Sequence, residues 1–253
     1  MNVSGIANQY LSLATLRTNS ASSTNSTNST NSASAVSQSG NVQKALSTAT
    51  ARLEQERQTT TAQISAYGQV KSDFARVQDS GKALAATQST TSTADVKKNL
   101  QAFVSAYNDT RSAAAKITTG VAQAAGRELQ RTVSTDSARA DLKSLGITQN
   151  KDGTLTLDTK ALDQALQTSA ATVRDAAGRL GSSAQQTATR VLSDTGGINT
   201  SLNALTSREQ SIESRQASQQ QLLSDSQQQV SQASTYLNNA LAGITAYNRI
   251  FSL

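Results

Sequence analysis

The oxygen-bearing side chains of "GITQNKDGTLTLDT", Gly146 to Thr159, are spaced closely enough to be weighed as a metal site. A calcium-binding EF loop places Asp first, oxygen ligands third and fifth, Gly sixth and a bidentate Glu twelfth. Setting Gly153 sixth makes Asn150 third and Asp152 fifth, which fits. It also makes Thr148 first and Thr159 twelfth, so both anchoring carboxylates are missing. Ser, Lys and Asp pairs occur elsewhere, but no nucleophile elbow or phosphate-cradling loop organises them. The chain has no Cys and no His. That removes thiolate nucleophiles, Cys-based zinc sites, and the side chain most used as a general base near neutral pH. The sequence therefore reads as non-enzymatic, with no catalytic residue, no cofactor and no metal assigned.

The same stretch is better accounted for as structure. Asp152-Gly153 supplies the positive φ of a tight hairpin turn. Ile147-Thr148 and Leu155-Thr156-Leu157 alternate as strands, giving a hairpin over 146–157. Asp158 then caps a helix that starts at Thr159 and runs through Leu162, Leu166 and Val173.

The elements around the hairpin are set by composition. Of the 253 residues, 36% are apolar and 3% aromatic, with three Phe, five Tyr and no Trp. A compact globule carries roughly 45–50% apolar residues, and large aromatics dominate its buried area. The expected fold is instead mainly α, long antiparallel coiled-coil helices with one small β-hairpin. The absence of Pro lets those helices run without an imposed kink. The net charge is +6. The basic residues are scattered and often lie beside acids, as in Arg174-Asp175 and Arg208-Glu209, with Lys97-Lys98 the single basic doublet. That pattern predicts solvated helix faces and no nucleic-acid partner. No apolar run approaches the roughly 20 residues of a membrane span, and "MNVSGIANQYLSLATLRT" lacks the layout of a secretory signal. A soluble chain with no membrane partner is expected.

Along the chain, residues 1–17 predict a short amphipathic helix with Ile6, Tyr10, Leu13 and Leu16 on one face. Residues 18–41, with their Thr-Asn-Ser repeat, have little to bury and predict a disordered tether. A coiled-coil helix is expected over 42–85, with seam positions Leu46, Leu53, Ile64, Tyr67, Lys71, Phe74 and Val77, weakened at Arg57 and Thr60. Residues 86–95 form a linker. A helical core follows over 96–194, of which 118–144 is expected to be a looser helix and loop region around Leu129, Val133 and Leu142. The last helix, in 195–253, has the clearest pattern. Steps of four and three from Ile198 pass through Leu202, Leu205, Ile212, Leu223, Val230, Leu237, Ile244, Tyr247 and Phe251. Gln216, Gln219 and Ser226 make a polar centre that costs stability and fixes register. These apolar residues are the expected assembly interface, with the end from Leu237 onward buried only in an assembly.

Four segments in order resemble the flagellar hook-associated protein 2 family, the filament cap proteins. "SLGITQNKDGTLTLDTKALDQAL" is similar to the family's C-terminal hairpin and helix. "ERQTTTAQISAYGQVKSDFARVQ", Glu56 to Gln78, is similar to its N-terminal helix. "VKKNLQAFVSAYND", Val96 to Asp109, is similar to the helix opening its C-terminal half, and the helix from Ile198 to its terminal coiled coil. The resemblance covers about residues 42 to 253. It implies the D0–D1-like leg of a flagellar axial protein, a short member lacking the large β-rich middle insert, where Ala86 to Asp95 stands instead. It further implies self-assembly, with flagellin, other axial proteins and an export chaperone as partners. The implied location is the extracellular flagellum, reached without a cleaved signal peptide. Alternatives are a filament-forming or junction subunit, and a non-flagellar coiled-coil adaptor.

Overall fold

The computed structural model describes residues 30–87, 90–117 and 120–251. In order, the elements are helix α1 (Thr30–Ala85), α2 (Thr93–Lys116), α3 (Gly120–Ser134), α4 (Asp136–Ser144), strands β1 (Ile147–Gln149) and β2 (Leu155–Leu157), α5 (Thr159–Leu192) and α6 (Gly197–Phe251). The fold is mainly α with one small antiparallel hairpin. The segment expected as an amphipathic helix, 1–17, lies outside the described residues, as does the first part of the tether. Helix α1 begins at Thr30, inside that tether. Once a helix has nucleated, adding residues to its end costs little, so a strong downstream helix extends into weak formers.

The described residues fall into two units, one spanning 51–218 and the other formed by 30–50 with 219–251. In the larger unit, α1 packs against α2, α5 and α6. Tyr67, Val70, Phe74, Val77 and Leu84 of α1 join Leu100, Phe103 and Tyr107 of α2 and Leu162, Val173 and Leu180 of α5 in one core. Lys71, expected in the seam, is exposed, and Val70 is buried in its place. A helix with neighbours on several sides buries a broad arc rather than a two-position seam, and a charged head stays in water. Arg76 bridges to Asp109 of α2 at 2.8 Å, and Gln78 Nε2 donates to Thr189 Oγ1 of α5 at 2.8 Å. Between those last two helices the backbones touch. A Cβ on Gly181 would stand 2.5 Å from the carbonyl oxygen of Gly81 and from Ala85 N.

Residues 120–144 are more regular than the loose helix and loop expected over 118–144. Helix α3 buries Ala122, Ala125, Gly126, Leu129 and Val133, and α4 buries Leu142. Small residues on the buried face of α3 allow close approach: a Cβ on Gly126 would lie 3.1 Å from that of Ala114. Thr135 separates the two helices by capping the second, its Oγ1 accepting from Ala138 N at 3.2 Å. Helix α5 is interrupted at Ser169, whose backbone is non-helical (φ −152°, ψ 57°).

Candidate assembly interface

The hairpin pairs Ile147 with Leu157, Thr148 with Thr156 and Gln149 with Leu155. Its loop is longer than the two-residue Asp-Gly turn expected. Asn150 N donates to Thr154 O and Gly153 N to Asn150 O, both at 2.8 Å, which encloses Lys151, Asp152 and Gly153. Gly153 alone of the loop's glycine and acid supplies the left-handed φ, at +78°. Asp152 closes the loop. Its Oδ1 accepts from Thr154 N at 2.9 Å and from Thr154 Oγ1 at 2.7 Å, and these bonds hold its carboxyl below the usual range. The Asp158 cap is as expected, accepting from Lys160 N at 2.9 Å and Ala161 N at 3.1 Å.

One turn of α2 clamps this hairpin; the apolar spacing of that helix, through Val96, Leu100 and Phe103, includes Tyr107 but neither Asn108 nor Arg111. Asn108 donates to Leu155 O and accepts from Leu155 N, each at 2.8 Å, filling the edge of β2 as another strand would. Tyr107 donates its hydroxyl to Gly153 O at 3.1 Å, and burial pushes its pKa up to about 12. Arg111 lies against Gly153 and donates to the Asp152 carbonyl and, at 2.9 Å, to Gln130 Oε1 of α3. For Asn108 and Arg111 the advance signal is a run of hydrogen-bonding side chains, "YNDTR", in an otherwise apolar-spaced helix. The hairpin is thus held by its neighbours as structure. Among the described residues, no group of three or more His, Cys, Asp or Glu is placed to hold a metal.

The terminal helix distributes its seam residues unevenly. Within 51–218, Ile198 and Ile212 are buried, and Leu202 and Leu205 are half-buried against the core. Facing them on α1, Leu53 is buried and Ile64 half-buried. Polar bonds across the pair run in opposite chain directions: Thr61 to Glu209 at 3.1 Å, Arg208 to Glu56 at 2.6 Å, and Gln216 Nε2 to Glu54 Oε2 at 3.2 Å. The helices are therefore antiparallel. Arg57 beside Glu54, at 2.8 Å, is the main reason that carboxyl's pKa drops to about 2. The weak middle of the seam is thus a set of hydrogen-bonded polar layers.

In the unit of 30–50 with 219–251, Leu46 and Leu223 are half-buried, and Thr50 Oγ1 donates to Gln219 Oε1 at 3.3 Å. Beyond Ser226 every side chain described is exposed. Val230 is 43% exposed, Ile244 58% and Tyr247 62%; Tyr236, Leu241 and Ile250, which lie off the expected positions, are more exposed than Val230. Leu237 and Phe251 lie in α6, but their side chains fall outside what is described. On a helix, Val230, Leu241 and Ile244 fall within roughly 60° of one another, and Tyr236, Tyr247 and Ile250 widen the stripe to one side. Ser231, Thr235 and Asn238 occupy the other face, and the single charge after Asp225 is Arg249. An apolar stripe this long with so little charge is uncommon on a surface that faces water. No helix of the described residues is long and apolar enough to cross a membrane.

Residues 119–248 match the family model described as flagellar hook-associated protein 2 C-terminus. No curated protein and no solved structure matches the chain. The matched region holds the hairpin, its cap and nearly all of α6.

Proposed function

The chain belongs to the flagellar hook-associated protein 2 family, and from that premise we propose that it is a cap-like structural subunit that self-assembles through the exposed end of α6. In this role it sits at the filament tip and assists flagellin assembly. It reaches the tip by export, with other axial proteins and an export chaperone as further partners. The observation that carries the proposal is the stripe of Val230, Leu241, Ile244 and Tyr247. Burying each such side chain between subunits contributes about 1.5–3 kcal/mol before the costs of association. The buried part of α6, from Ile198 to Ile212, holds the leg together within one chain.

Sedimentation of the full chain against Leu241→Glu/Ile244→Glu tests this. The natural sequence should form oligomers, while the double variant stays monomeric with an unchanged melting curve. A natural chain that remains monomeric at every concentration, or a double variant that assembles as well, would sink the proposal. The second reading, a filament-forming or junction subunit, is favoured by the short connection between α1 and α2, residues 86–92, which holds no tip-forming domain. Electron microscopy separates the two: closed rings support a cap, open helical polymers a junction or filament subunit.

A further inference from the structure

Asp152-Gly153 is the single Asp-Gly pair in the chain. In such a pair the glycine nitrogen can attack the side-chain carboxyl carbon of the aspartate, because no Cβ on the glycine crowds the approach. The nitrogen loses its proton, an N–Cγ bond forms, and the hydroxyl of the protonated carboxyl leaves as water. The product is a five-membered succinimide. Water then adds to one ring carbonyl. When the bond from nitrogen to the α-carbonyl carbon breaks, the result is isoaspartate, whose main chain runs through the former side chain and is one methylene longer. One water leaves and one is taken up, so the mass is unchanged.

In the folded hairpin both reacting groups are engaged. The peptide plane joining the two residues is pinned at both ends: Arg111 donates to the Asp152 carbonyl, and Gly153 N donates to Asn150 O at 2.8 Å. Tyr107 holds the next carbonyl, Gly153 O, at 3.1 Å. Asp152 is exposed, yet Gly153 is buried with the Arg111 guanidinium against it. On the other side, Asp152 Oδ1 accepts from Thr154 N at 2.9 Å and from Thr154 Oγ1 at 2.7 Å. These bonds favour the carboxylate, whereas the reaction needs the protonated acid.

We propose that Asp152-Gly153 is a modification site that the fold keeps closed: it converts to isoaspartate when the loop opens, and Asn150, Thr154 and Arg111 suppress that conversion in the folded chain. The opening required is local, within the hairpin loop. The extra methylene falls inside the loop that Asn150 and Thr154 close, so a converted chain cannot restore the same set of bonds.

The test incubates the full chain at neutral pH, folded and in guanidinium chloride. Isoaspartate at residue 152 is followed in its tryptic peptides by chromatography and fragmentation mass spectrometry. The folded chain should convert roughly tenfold or more slowly than the unfolded chain, since several hydrogen bonds hold the loop shut. Thr154→Val removes one bond to the carboxyl and should speed conversion of the folded chain roughly three- to tenfold. Arg111→Met removes the donor to the Asp152 carbonyl and should act in the same direction. In denaturant both variants should match the natural chain, which ties their effect to the folded loop. Melting curves show that each variant is folded, and Thr154→Val alone decides if Arg111→Met is not. Equal rates for the folded and unfolded natural chain overturn the proposal, as does a folded Thr154→Val chain that converts no faster than the natural one.

Discussion

Helix α6 carries one spacing of apolar residues from end to end, yet its two ends live in different surroundings. Ile198 and Ile212 are buried by residues of the same chain, while Ile244 and Tyr247, placed by the same steps of four and three, are largely exposed. The difference is in what lies opposite. The first part faces α1 and the bundle core. The last part presents a stripe nearly without charge to solvent. Heptad spacing defines which face is apolar; it does not define whether the cover comes from the same molecule.

The largest effect expected from breaking this contrast comes from the bundle. Phe74→Ala should lower the unfolding free energy by about 3–5 kcal/mol, through lost burial and the cavity left behind. Ile244→Ala in the monomer should change it by less than about 0.5 kcal/mol, because there is nothing packed to lose. Urea titrations of both would collapse the comparison if they gave similar shifts.

A smaller effect sharpens it inside the larger unit. Asn108→Ala strips both partners from the Leu155 backbone, and Leu155 is itself buried. A loss of about 1–3 kcal/mol is expected, with faster hydrogen exchange at the Leu155 amide and no change at amides of α6 beyond Val230.

The smallest effect concerns the polar layer. The Glu54 carboxyl is drawn from 4.5 down to about 2, first by Arg57 and then by Gln58. A folded-state pKa below the unfolded one stabilises the fold above the unfolded value and ceases to do so as pH falls through the folded value. The stability gap between the natural chain and Glu54→Gln should therefore be present above pH 4.5 and close as pH approaches about 2. The pair is exposed, so the gap is modest at any pH. Thermal melts across that range check it, and a gap that widens on acidification would contradict the assignment.

Much of this was legible in the residues. The Asp158 cap, the hairpin and the α6 spacing are local signals, and each appears where short-range chemistry puts it. The missed features are long-range or small. Asn108 and Arg111 act on residues some forty positions away, which no periodicity records. Val70 displaces Lys71 because several helices, not one, surround α1 there. Ala122, Ala125 and Gly126 share the buried face of α3 with Leu129 and Val133, and the spacing of large apolar residues does not mark the small ones. Of the exposed apolar residues of α6, the spacing includes Val230, Ile244 and Tyr247 and leaves out Tyr236, Leu241 and Ile250. Those side chains fall between heptad steps and matter only once the whole exposed arc is seen.

The backbone contact at Gly81 and Gly181 has a historical side. A methyl on either glycine has nowhere to go, since the oxygens and nitrogens it would strike belong to the helices themselves. Neither position can be exchanged first by single steps. A lineage could leave this arrangement only by separating α1 from α5, which would also part Gln78 from Thr189. The crossing is a ratchet: easily kept, and hard to abandon one residue at a time.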